Sequence, residues 1–434
     1  MRTGPVMATG IRADIRGDAR HRGPDRPPLD LLDLAIRFSS RWIPLLAIGW
    51  FAAACGGPGE ATAADCTRVA APGGSDRASG TEAAPFRTAQ RLAASLGPGQ
   101  MGCLRAGTYD QRGAGGYVLK VVHGGRVGQP VTIRSFPGER ARLEGVVYVP
   151  RDSPNVVLSN LDIDGRASWA TASTPSVHIM AAGVVFEDNT LTNRRLKSCM
   201  LLGSNRGWGK AVDVVIRRNA FRDCGDPAHD MLDHAIYAEN VRGGEISRNV
   251  FTGTSAWAVH LYPNSQGVRV SENVMTGNGG GVIFAGEGEL ASSGNVVERN
   301  IITGTTRDHG VASYWGDRVG AGNVASANCL SGTRKDAVAR PLGFASRGNV
   351  EADAPLVVTA GTAAVRLGEG SSCAGVVGSW AAGPDVAPGT KTVPVLKRAA
   401  TTPPVSRRCR RVTASGRRVL PVRYRRCLRA RRDS

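Results

Sequence analysis

The sequence predicts an all-β solenoid, a parallel β-helix with a helical cap at its N-terminal end and a basic tail behind it. Three observations carry the prediction. An asparagine recurs in nearly the same setting at Asn160, Asn189, Asn219, Asn249, Asn273, Asn300 and Asn328, at intervals of 29, 30, 30, 24, 27 and 28 residues, which is one supersecondary unit per repeat. Short β-branched alternations (VVLS, VVFE, VVIR, VVER) precede these asparagines, and a second short run follows each one before a Gly or Asn. Helical periodicity is missing from the same stretch, so the repeats read as strands separated by turns.

Stacked coils explain why the repeated residue is asparagine. Coils of a parallel β-helix lie about 4.8 Å apart, so equivalent positions sit above one another. An asparagine at a bend tolerates left-handed backbone angles, and its amide can bond along the stack. Asn155, Asn295 and Asn323, five residues upstream of three of the seven, suggest a second column. About eight coils and a stack of roughly 40 Å are expected, with the seven asparagines in one column.

Taken in order, residues 1–64 read as a leader and signal segment. Trp42 to Ala54 is an apolar run of thirteen, preceded by Arg37 and Arg41 and broken by Pro44. It is too short for a membrane span and has the layout of a secretory signal. Cleavage is expected after Ala63 or Ala64; alternatively Ala52-Ala53-Ala54-Cys55 is a lipoprotein box that would acylate Cys55 and bring the protein to a membrane. Export also accounts for the cysteines. Setting Cys55 aside leaves eight of nine, an even number suited to an oxidising compartment. Proximity in sequence pairs Cys66 with Cys103, Cys199 with Cys224, Cys329 with Cys373 and Cys409 with Cys427.

Residues 65–106 read as the cap. An amphipathic helix from Pro85-Phe86 to about Leu96 would place Phe86, Ala89, Leu92, Ala93 and Leu96 on one face, covering the open end of the first coil. The β-helix follows over 107–374, then a Pro/Ala/Gly-rich linker over 375–404. The tail, 405–434, reads as two basic strand-like pieces around Ser415-Gly416, stapled by Cys409 and Cys427. From Lys391 to Ser434 there are fifteen Lys or Arg against one Asp, which is +14 of the net +19. In an exported protein such a field fits an anionic cell-wall polymer or acidic polysaccharide; nucleic acid is not expected as a partner, and the chain reads as a monomer.

The cap residues "GGSD…GT…PFRT…GTY" resemble the N-terminal cap of secreted right-handed parallel β-helix proteins of the pectate-lyase-like superfamily. The likeness runs from roughly Val69 to Cys373. It implies a right-handed coil, and a range of activities: polysaccharide lyases, uronate epimerases, glycoside hydrolases and non-catalytic surface proteins.

Chemistry concentrates between Asp226 and Trp315, which hold four of the seven histidines. HAIYAE, WAVHLY, GGVIFA and HGVASY occupy one place in successive coils, so Ile236, Val259, Val282 and Val311 should stack inward. Alternation then turns Tyr237, His260 and Ile283 outward in one column, and Glu239, Tyr262 and Tyr314 in another. The candidate catalytic residues are His234 or His260 as base, Tyr237 as acid and Asp233 to orient His234. Arg222, Arg242 or Arg307 would stabilise charge, and Asp308 would orient His309. Glu239, Trp257, Tyr262, Arg307, His309, Tyr314 and Trp315 are candidate substrate-binding residues. His234, Tyr237 and His260 should lie within about 10 Å of one another, on an exposed face.

Such a groove suits β-elimination or C5 epimerisation of a uronate in an acidic polysaccharide: a base for the C5 proton, an acid opposite, and a cation for the growing carboxylate charge. Asp226 to Asp230 (DPAHD) resembles, with one inserted residue, the Asp-Pro-His-Asp signature of mannuronan-type C5 epimerases, which implies roles for His229 and Asp226. The paired-Asp pattern of polygalacturonases is missing, and Lys120, Lys197, Lys210 and Lys335 do not lie in sequence with an Asp cluster. Asp162 and Asp164 leave calcium open as a cofactor, beside their reading as turn residues. No G-x-S-x-G, H-E-x-x-H, Walker or Rossmann motif occurs, and no cysteine spacing suggests zinc. The alternative function is a non-catalytic envelope protein that binds polysaccharide through the same groove.

Overall fold

A computed structural model describes residues 62–110, 116–165, 175–316, 320–339, 343–352, 356–359, 365–367, 372–377 and 392–393. The apolar leader run, Cys55, and the basic tail with Cys409 and Cys427 lie outside the described residues.

Three parallel sheets wind round one apolar lumen. The first has eleven strands, from Arg68–Ala70 to Ala345–Arg347; the second has ten, from Gly107–Tyr109 to Val350–Glu351; the third runs from Leu119–Lys120 to Val311–Gly316. The middle coils each supply one strand to each sheet, as Val215–Arg217, Ala220–Arg222 and Ile236–Arg242 do. Eleven strands at sheet spacing make a stack of about 48 Å, longer than eight coils would give. Lumen positions repeat coil by coil: Leu191, Phe221, Phe251, Met275, Ile302 and Leu330 are one buried column. Phe221 and Phe251 stack at 4.8 Å. Each such side chain contributes about 1.5–3 kcal/mol by leaving water.

The asparagine column is a hydrogen-bond ladder inside the first corner. Oδ1 of Asn219, Asn249, Asn273, Asn300, Asn328 and Asn349 each accepts both the backbone N–H and the side-chain N–H of the asparagine one coil earlier, at 2.8–3.2 Å. Nδ2 also donates to a carbonyl of the coil before, as Asn273 does to Ile246 O at 2.8 Å. The left-handed bend is made by the residue before each asparagine: Asp188, Arg218, Arg248, Glu272, Arg299 and Ala327 have φ of 49–57°. Asn160 is therefore out of the column. It occupies the bend itself, with φ 56°, and Leu161 N–H is the group that meets Asn189 Oδ1. Asn349 closes the ladder in its place. In the second column Asn295 and Asn323 form a ladder of their own, while Asn155 is again a bend residue, φ 53°.

The cap helix is Ala89–Ala94, shorter than its apolar pattern suggested. Thr88 caps it, accepting from Arg91 N, and Asp76 in turn accepts the Arg87 and Thr88 N–H groups. Phe86 precedes the helix and bridges to Ala70 instead. Phe86, Ala89, Leu92, Ala93 and Leu96 are all buried in the end of the lumen. Disulfides join Cys66 to Cys103, Cys199 to Cys224 and Cys329 to Cys373.

The described parallel pairing ends at Val350–Glu351. Beyond it Leu356–Thr359 pairs antiparallel with Val365–Leu367 and with Thr392–Val393. Ala374–Val377 is a short helix, next to the disulfide at Cys373. No helix among the described residues is long and apolar enough to cross a membrane.

Candidate functional site

The third sheet lengthens where the chemistry gathers, to Trp257–Gln266 and Gly280–Glu287. Its register stacks Ile236, Val259, Val282 and Val311 in the lumen, as alternation predicts. The outward column reads Lys120, Tyr148, His178, Leu201, Tyr237, His260, Ile283, Ala312.

Tyr237, His234 and His260 meet, with ring centroids 4.3 to 5.5 Å apart. Their exposure differs from the expectation. His260 faces away from the lumen yet is only 3% exposed, and His234 is equally buried. Trp257, Ile283, Ala312 and Ala339 form an apolar cluster on the outer face, with Met231 packed against it. Trp257, fully buried there, offers no face for stacking on a sugar.

His260 Nδ1 and His234 Nε2 share a hydrogen bond of 2.7 Å. Burial first, and then the Lys197 charge, push His234 down to about 3; burial and His234 hold His260 well below its ordinary 6.5. Both rings are neutral at physiological pH, and one donates to the other. Tyr237 shifts the other way: burial, then Glu239, raises its phenol, which stays protonated. Glu239 is itself raised, chiefly by burial, and Oε1 accepts Asn205 N–H at 3.1 Å. Tyr262 lies 5.0 Å from the His260 ring and donates to Glu287 Oε2 at 2.8 Å.

Asp233 does not orient His234. It precedes the strand, its side chain is 0% exposed, and it gathers three other groups. Oδ1 pairs with Lys197 Nζ at 2.9 Å, and Oδ2 accepts from His229 Nδ1 at 2.7 Å and from Asp226 N–H at 3.2 Å. His229, 35% exposed in its side chain, stands at the open edge of this group. Arg307 donates to Pro227 O at 3.0 Å, which ties it to the His229 loop. Sequence reading had set Lys197 apart from any Asp cluster; the Cys199–Cys224 disulfide and the bond from Gly225 N to Lys197 O bring the two segments together.

The remaining candidates are dispersed. His309 Nδ1 lies 2.6 Å from Asp336 O, and its main-chain N–H donates to Asp308 Oδ1. Asp308 also pairs with Lys335 at 3.0 Å. Arg222 and Arg242 are exposed. Tyr314 and Trp315 continue the sheet by their backbone; their side chains lie outside the described residues. Asp162 pairs with Arg140, and Asp164 with Arg142 and Arg194, so arginines already meet both carboxylates. Among the described residues no group of three or more His, Cys, Asp or Glu is placed to hold a metal.

The buried histidine pair makes stability depend on pH with a definite sign. The unfolded chain takes up protons near 6.5 and the folded chain does not until about 3, so U binds more protons between those values. The stabilisation is complete above about pH 6.5 and is lost as pH falls toward 3. Between pH 7 and 4 the wild type should lose about 3 kcal/mol from His234, with His260 adding to the loss in the same direction. A His234→Gln/His260→Gln double variant should show a flatter dependence of melting temperature on pH; equal slopes would refute the assignment.

A family model for the right-handed β-helix region matches residues 150–335. No curated protein matches the chain. Among solved structures, XylC in complex with xylose is 12% identical, covering 66% of this chain and 68% of that one, with a TM-score of 0.48. The pectate lyase Pel9A is 16% identical over 66% and 75%, TM-score 0.39. A tailspike protein mutant of E. coli bacteriophage HK620 in complex with a pentasaccharide is 14% identical over 58% and 51%, TM-score 0.42. Likenesses this distant say nothing about activity. The matched family region and the coil-to-coil parallel pairing of the three sheets around one lumen agree on the architecture: this chain is a right-handed parallel β-helix protein.

Proposed function

We propose that this is an exported carbohydrate-active protein that acts on an acidic polysaccharide, removing the C5 proton of a uronate in β-elimination or C5 epimerisation. The observation that carries the reading is His229 held by the buried Asp233 carboxylate. A carboxylate accepts, so Nδ1 is the donor to Asp233, and Nε2, 3.9 Å from Asp226 Oδ2, is the nitrogen left to take a proton. That is the tautomer a general base needs. His229 thus replaces His234 and His260 as the base, since both of those are buried from substrate and burial makes them poor proton acceptors.

Arg307, tied to the same loop, is the cation for the substrate carboxylate as charge grows on it. Tyr237 is the acid, a phenol kept protonated by its burial. In elimination, the base takes the C5 proton, the C–H electrons form the C4–C5 double bond, and the departing C4 oxygen takes the acid's proton. In epimerisation, C5 is reprotonated from the opposite face.

The test is incubation of purified protein with a panel of uronate polymers, with and without calcium, reading unsaturated-uronate absorbance and the uronate ratio. Wild type should change one of the two, and His229→Ala should reduce that rate roughly 10²–10⁴-fold. The burial of His234 and His260 favours a second reading, a module that only binds polymer. Retention of polymer with neither product would decide for it.

A further inference from the structure

Upstream of Tyr237 the same outward column carries an aromatic row that the reaction does not use. Tyr117 stacks on Tyr148 with centroids 5.1 Å apart; Tyr148 meets the edge of His178 at 5.9 Å; Trp208 lies parallel to His178 at 6.4 Å. Structural packing alone does not explain Trp208, which is 51% exposed. It is presented by a tight turn closed between Ser204 and Gly209, with Arg151 Nη1 donating to Gly207 O beneath it.

Two features aim this row at a sugar chain. The turn that carries Trp208 also carries Asn205, whose N–H and Nδ2 hold Glu239 beside Tyr237, so the row is continuous with the candidate site. Cations without an ion pair among the described residues flank it. Lys120 Nζ lies 6.0 Å from the Tyr148 ring centre, and the charge of Arg206, on the Trp208 turn, reaches Tyr237 and Glu239. Flat rings one coil apart, with positive charge alongside, suit pyranose faces that bear carboxylates.

We infer that Tyr117, Tyr148 and Trp208 form a stacking platform for the non-reacting arm of an acidic polysaccharide, leading it along the coils to Tyr237. This rests on the reading that the partner is such a polymer. An aromatic anchor of this kind matters only to ligands long enough to reach it.

The experiment is calorimetric titration of the full chain with dimers and hexamers of galacturonate and of mannuronate. Trp208→Ala and Tyr148→Ala should each weaken hexamer binding roughly tenfold and leave dimer binding unchanged. Trp208→Phe and Tyr148→Phe should retain most of the affinity. Because Trp208 is exposed, its replacement should not lower the melting temperature, and it keeps the test valid should Tyr148→Ala fail to fold. Hexamer affinity unchanged by Trp208→Ala overturns the platform alone. A wild type that binds none of the four oligomers overturns both the platform and the polysaccharide reading.

Discussion

Asn273→Ala is expected to destabilise the protein by about 3–5 kcal/mol, among the largest effects of any single substitution in the solenoid. Its carboxamide is fully buried and makes four bonds: Oδ1 accepts from Asn249 N and Nδ2, and Nδ2 donates to Ile246 O and Asn300 Oδ1. Alanine leaves the Asn249 N–H and the Ile246 carbonyl buried without partners, and each such group costs about 1–3 kcal/mol. The effect should depend on position in the stack. Asn349 is the last rung and only half-buried, so Asn349→Ala should cost about 1 kcal/mol. Asn160→Gly should cost little, because that residue is a left-handed bend where glycine is at ease. Chemical denaturation of the three variants would check this order, and equal losses for Asn273→Ala and Asn349→Ala would defeat the ladder as a source of stability.

The misplaced Asn160 shows how far the repeat could be read from sequence. In DNTL, RNAF, RNVF, ENVM and RNII the lumen residue lies two positions after the asparagine; in SNLDI it lies three after, at Ile163. Alignment on the lumen residue would have moved Asn160 to the bend. Asn349 was hidden because the position two after it is Glu351, where the repeat has lost its apolar residue. Coil spacing and strand alternation were legible because burial enforces them in every rung. The short cap helix was not, since the apolar pattern from Phe86 continues across Thr88, and only the capping bond sets the boundary.

For the site, alternation gave the correct side of the sheet and nothing about what covers it. Tyr237, His234 and His260 were brought together as the coil alignment required. The apolar cluster of Trp257, Ile283, Ala312 and Ala339 on the outer face takes in Met231 from a loop, whose path no periodicity encodes. The same limit hid Lys197 from Asp233, thirty-six residues apart and joined through a loop and a disulfide. Sequence adjacency suggested Asp233 for His234; a residue and its successor rarely share one target, whereas His229 four positions earlier can turn back onto it.

Asp233→Asn is expected to reduce turnover roughly 10²–10⁴-fold while leaving the fold in place, which would identify Asp233 as the positioning residue of the base. The amide is the same size, so the buried cavity is kept. Its NH2 group, however, can donate to His229 Nδ1, and the ring proton then moves to Nε2, where the lone pair was needed. Nitrogen NMR of the His229 ring should report this directly, with Nδ1–H in the wild type and Nε2–H in the variant. Asp233→Ala should act differently. Both variants remove the carboxylate 2.9 Å from Lys197, which is 20% exposed, so each should lose about 3 kcal/mol of stability, but only the Asn variant offers His229 Nδ1 an NH2 donor that fixes the wrong tautomer. A merely structural Asp233 would give the stability loss alone, with turnover and the His229 tautomer unchanged. Full turnover by Asp233→Asn with Nε2 protonated would remove His229 from the role of base, because a protonated Nε2 cannot accept the C5 proton.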